Sequence, residues 1–124
     1  MKPILVATDF SVASRNALLY GIELAKALDT KIILFHAYTV SPPAPALNVT
    51  ISRYDTMMQT DKRLLDEAES VDPKRGLIEI MCDEGVAADA INTIANEKQV
   101  DYIIAGMKGS GKTLKRYLGA RPRH

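Results

Sequence analysis

Two hydrophobic periods alternate along the chain. Pro3 to Ala7 is a short, unbroken apolar run halted by Thr8 and Asp9, the pattern of a buried strand. From Ser11 the spacing shifts to three and four, through Val12, Ala13, Ala17, Leu18, Gly21, Leu24, Ala25 and Leu28. That spacing predicts an amphipathic helix with Ser11 as its N-cap. Lys31 to Tyr38 reads as a second buried strand, and the prolines of the following SPPAPALN cannot extend it, because they lack the donor a ladder needs. Helical spacing returns at Tyr54, Met57, Met58, Leu64, Leu65 and Ala68, where the methionine pair reads as flexible core filling. A third strand is expected at Gly76 to Cys82. A third helix follows with Val86, Ala87, Ala90, Ile91, Ile94 and Ala95 on one face, and then a fourth strand at Val100 to Ala105.

The order β-α-β-α-β-α-β has crossovers long enough for parallel pairing. Nearly continuous apolar strands suit a sheet covered on both faces. Right-handed crossovers then lead to an α/β, doubly wound parallel sheet with strand order 3-2-1-4. Ligands of such sheets bind beyond the carboxyl ends of the strands, where the winding reverses. The first and fourth strands meet there, which places Asp9 and Gly106 across one crevice.

Composition narrows the function. The chain has 124 residues, 47% hydrophobic and 25% charged, which suits one globular domain. A formal net charge of +1 argues against a general nucleic-acid surface. The local basic cluster of Lys108, Lys112, Lys115, Arg116, Arg121 and Arg123 reads either as a solvated face or as an anion site. A single cysteine, Cys82, excludes an internal disulfide and suits a reducing compartment; within its apolar run it reads as a small buried hydrophobe. No apolar run approaches the ~18 residues of a membrane span. The expectation is a cytoplasmic protein with no membrane partner.

The stretch GMKGSGKT, Gly106 to Thr113, fits the P-loop pattern G-x-x-x-x-G-K-[ST]. A P-loop requires a strand, a glycine loop whose amides cradle phosphate, and a helix beginning at the Lys-Thr pair. KTLKRYL could form that helix, yet Gly119 interrupts it early. The motif also stands at the end of the sheet, with no later strand to carry a magnesium ligand. Asp9, on the neighbouring strand, is the available substitute.

A second pattern joins three segments. ILVATDFSVASRNAL, LFHAY and DEGVAADAINTIANEKQVDYIIAG running into GMKGSGKTLKRYLGA together resemble the universal stress protein family, over essentially residues 1 to 120. The resemblance implies a Rossmann-like fold of the adenine nucleotide alpha hydrolase type. It also implies an ATP signature, Gly-x2-Gly-x9-Gly-[Ser/Thr], falling on Gly106, Gly109 and Gly119 with Ala120 at the hydroxyl position. Gly106 and Gly109 would make a tight turn with exposed amides, and Gly119 would offer another amide to phosphate. The intervening residues would arch over and bring Lys108 and Lys112 as positive charge. The resemblance implies further that the backbone at Ala7 and Ala37 holds adenine. Thr8 and Asp9 would lie near ribose and phosphate, with Asp9 facing a magnesium ion. Each has a plainer reading: Asp9 as a helix cap, Thr8 as a strand end, Lys108 as a solvated loop lysine, His36 as a hydrogen-bonded structural histidine.

Two departures temper the resemblance. Ala120 lacks the expected hydroxyl, a hydrogen bond worth ~1 kcal/mol. Family domains usually continue into a fourth helix and a fifth strand, so residues 1 to 124 read as a C-terminally incomplete domain, or as the first half of a tandem protein. The fourth strand would then be a sheet edge, and self-association as a homo-oligomer is expected. The leading expectation is a stress-response module whose partner contacts change with ATP, with at most slow hydrolysis. A dimerisation scaffold without nucleotide and a P-loop NTPase are the alternatives.

Overall fold

The computed structural model describes residues 2–40, 49–74, 76–107 and 111–116, with the backbone alone for 49–52, 107 and 111–116. Five strands and three helices follow in the order β1 (Ile4–Ala7), α1 (Val12–Leu28), β2 (Ile32–Tyr38), α2 (Val49–Val71), β3 (Ile78–Glu84), α3 (Ala87–Glu97), β4 (Tyr102–Met107) and β5 (Gly111–Arg116). The sheet order is β3-β2-β1-β4-β5. Its first four strands are parallel, in the expected 3-2-1-4 arrangement.

Alternation along the strands divides the core between two faces. Ile4, Val6, Ile32, Leu34 and Ile104 pack with Ala17 and Leu18 of α1 and with Leu64 and Ala68 of α2. Leu5, Ile33, Phe35 and Ile103 pack with Ala90, Ile94 and Ala95 of α3. Ser11 is the N-cap of α1, its hydroxyl accepting from Ser14 N–H. Gly21 lets α1 lie close to the sheet, since a Cβ there would stand 2.9 Å from Val6 Cγ2.

The C-terminal stretch corrects two expectations. Residues 111–116 form neither the helix of a P-loop nor an arch over phosphates; they run back antiparallel along β4, Gly106 opposite Lys112 and Met107 opposite Gly111. The fourth strand is therefore not the sheet edge. A parallel fifth strand would need a crossover of a dozen or more residues, whereas an antiparallel one needs only a short turn. Smaller corrections concern exposure. Val12, Met58 and Val86, expected on inward stripes, are exposed at 77%, 50% and 65%, because the buried face of α2 runs through Thr60, Leu64 and Ala68, and Val86 is the N-cap of α3.

Candidate functional site

At the carboxyl ends of β1, β2 and β4 the sheet opens into a small, partly open cleft with a cavity volume of about 60 Å³. Ala7, Phe35, Ala37, Ala87 and Ile91 supply apolar walls, and Thr8, Asp9, His36 and Gly106 complete the lining. Ala7, Ala37, Asp9 and Gly106 thus come together at one cleft.

The backbone of Ala37 gives this cleft its polar edge. On the β1-facing edge of β2 the odd-numbered residues present their polar groups: the Lys31 carbonyl accepts from Ile4 N–H and the Phe35 carbonyl from Thr8 N–H, both at 2.9 Å. The even-numbered residues face β3, where Ile32 N–H donates to Leu77 and the Tyr38 carbonyl accepts from Gly85. By the same alternation, Ala37 turns its N–H and C=O towards β1. β1 ends at Ala7, so the pair reaches past the strand into the cleft. One donor and one acceptor thus stand side by side at the edge of the apolar walls.

Thr8, which lines the cleft, uses its hydroxyl within the fold. The residue is 5% exposed, and its Oγ1 shares its one proton between Ser14 Oγ (2.8 Å) and Glu67 Oε1 (3.2 Å) while accepting from Phe10 N–H (3.0 Å). The hydroxyl fastens the β1–α1 turn to α2. Half-burial pushes the Glu67 carboxyl above the usual range, against the pull of the Thr8 hydrogen bond and of Arg15. Asp9 Oδ1 accepts from Ser11 N–H at 3.0 Å, so one carboxylate oxygen stabilises the turn.

Phe10 adopts a left-handed backbone at φ 64°, costing about 1–3 kcal/mol for a residue other than glycine. Its ring lies 4.6 Å from the His36 ring, with the Arg63 guanidinium 4.0 Å above it. His36 Nδ1 lies 2.6 Å from the Thr8 carbonyl; a carbonyl only accepts, so Nδ1 carries the proton. That arrangement agrees with the plain structural reading of this histidine.

Gly106 serves packing, not a turn. It pairs within β4, and a Cβ there would stand 2.2 Å from the Ala13 carbonyl oxygen and 2.7 Å from its carbon. Lys108, Gly109, Gly119 and Ala120 lie outside the described residues, and Lys112 is described by its β5 backbone alone. Among the described residues no group of three or more His, Cys, Asp or Glu side chains is placed to hold a metal, and no helix is long and apolar enough to cross a membrane. Cys82 is half-buried; its thiol donates to Asp61 Oδ1 at 3.2 Å, and burial followed by that hydrogen bond pushes it up to about 12.

Sequence reasoning did not single out Phe35, Ala87 and Ile91 as cleft walls, nor Glu67 and Arg63 as supports. Alanine and isoleucine there carry no chemical signal beyond the apolar stripe of α3. Glu67 and Arg63 reach the turn only through the docking of α2.

The universal stress protein family model matches residues 1–120. The chain belongs to the universal stress protein family. Solved structures share the fold. A universal stress protein family member from Burkholderia pseudomallei is 24% identical, with a TM-score of 0.68 over 86% of this chain and 81% of its own. Universal stress protein UspA from Lactobacillus plantarum is 17% identical, with a TM-score of 0.70 over 88% and 81%. A universal stress protein in complex with cAMP is 22% identical, with a TM-score of 0.52 over 82% and 73%. Comparison with curated proteins returns no match.

Proposed function

We propose that this universal stress protein binds ATP or a related adenine nucleotide at the β1–β2–β4 cleft and acts by changing its partner contacts with nucleotide state. The observation that carries the reading is the Ala37 backbone pair at the edge of an apolar-walled cleft. An N–H donor beside a C=O acceptor complements the ring nitrogen and exocyclic amine of adenine. The structural neighbour solved with cAMP supports the same ligand class. Ribose and phosphates would leave the cleft past Asp9 towards the glycine stretch, where Lys108, Lys112 and the amides of Gly109, Gly119 and Ala120 supply the expected anion contacts. A magnesium ion carried by the phosphates needs only one or two protein carboxylates, and Asp9 is the candidate. When bound, the ion would neutralise phosphate charge.

The β5 strand argues against a P-loop NTPase, because no helix begins at Lys112-Thr113. We read residues 1–124 as one module of a cytoplasmic stress response. Self-association falls to β5, one of the two edge strands of the described sheet, whose outer edge offers ladder groups to a second copy. The direct test is calorimetric titration with ATP. Saturable binding supports the reading, and the absence of heat at millimolar ATP contradicts it.

A further inference from the structure

One more step of the parallel ladder would give the Thr8 carbonyl to Ala37. Thr8 N–H already donates to Phe35, and in a parallel pair the same residue's carbonyl then accepts from the residue two further on, which is Ala37. The chain does otherwise. The hydrogen bond seen at the Thr8 carbonyl comes instead from His36 Nδ1, at 2.6 Å.

The ring is held for this purpose from two further elements. The Phe10 ring from the β1–α1 turn packs at 4.6 Å, tilted by 49°, and Arg63 of α2 covers Phe10 at 4.0 Å. Phe10 reaches the ring from a left-handed backbone that its N–H fixes to Thr8 Oγ1 at 3.0 Å.

We propose that His36 is a positioning residue: by competing for the Thr8 carbonyl it weakens the pull of the sheet ladder on the Ala37 N–H and leaves that donor available to a bound base. The inference rests on the adenine reading for its purpose but not for its geometry. His36→Phe keeps an aromatic ring and removes the donor. Ala37 N–H then joins the Thr8 carbonyl, and the polar edge closes. His36→Asn keeps an N–H near the Nδ1 position and preserves the arrangement.

The experiment is amide hydrogen exchange at Ala37 by NMR, without nucleotide and then with ATP. In the wild-type protein the Ala37 amide exchanges freely without nucleotide and is protected by ATP. In His36→Phe it is protected at least tenfold without nucleotide, and ATP affinity falls at least tenfold; His36→Asn follows the wild type in both. An Ala37 amide already protected in the nucleotide-free wild type, or equally unprotected in His36→Phe, overturns the proposal. The wild-type arm decides even if His36→Phe does not fold. If ATP fails to bind at all, the adenine reading falls, while the nucleotide-free exchange still judges the role of His36.

Discussion

Gly106 of β4 and the Ala13 carbonyl of α1 approach so closely that a Cβ on the glycine would stand 2.2 Å from that oxygen. The contact holds the first turn of α1 against the strand whose end lines the cleft. Backbone cannot yield as a side-chain tip can. Gly106→Ala is expected to destabilise the fold by about 1–3 kcal/mol, as overpacking does. It should also weaken nucleotide binding by tilting the β1–α1 turn. Chemical denaturation measures the first effect and ATP titration the second.

Ala87, at the start of α3, is a half-exposed wall of the cleft. Ala87→Phe places a ring where the base would lie while leaving the core untouched. The expected result is at least a tenfold loss of ATP affinity, or about 1.4 kcal/mol or more, with the unfolding midpoint nearly unchanged.

Much of this architecture is legible in the sequence, since buried parallel strands and amphipathic helices write their periods directly. Ile4–Ala7 and Ile32–Tyr38 are unbroken apolar runs, and Ser11 announces the helix it caps. Asp9 and Gly106 meet at one cleft because the strand order puts β1 beside β4. The role of Gly106 was not legible: a glycine pattern cannot tell a turn from a close helix contact. Residues 111–116 are ambiguous in sequence for a related reason. GKTLKR has no apolar period to distinguish strand from helix, and pairing with β4 decides it. The partners of Thr8, Ser14 and Glu67, are not legible because they lie on other elements.

Glu67 gives the fold a pH dependence of defined sign. Its carboxyl titrates above its ordinary value near 4.5, chiefly because burial disfavours the charge. The folded state therefore holds this proton more tightly than the unfolded chain. The stability it contributes is complete below the unfolded value and is lost as pH rises through the raised folded value. Denaturation between about pH 4 and pH 7 should show this decline, and Glu67→Gln should flatten it. An unchanged profile in the variant would assign the decline to other groups.

Cys82 should be a poor nucleophile. With its thiol pushed up to about 12, roughly one molecule in ten thousand is a thiolate at pH 8. Alkylation of the native protein should lag far behind that of the unfolded chain. Asp61→Ala removes the carboxylate that accepts the thiol proton at 3.2 Å and should speed the reaction.

The central claim is that the cleft at Ala37 takes an adenine nucleotide, and calorimetric titration of the protein with ATP tests it most directly. The account predicts saturable binding of one nucleotide per chain, abolished or weakened at least tenfold by Ala87→Phe. No binding at millimolar ATP, or binding that Ala87→Phe leaves unchanged, would contradict it.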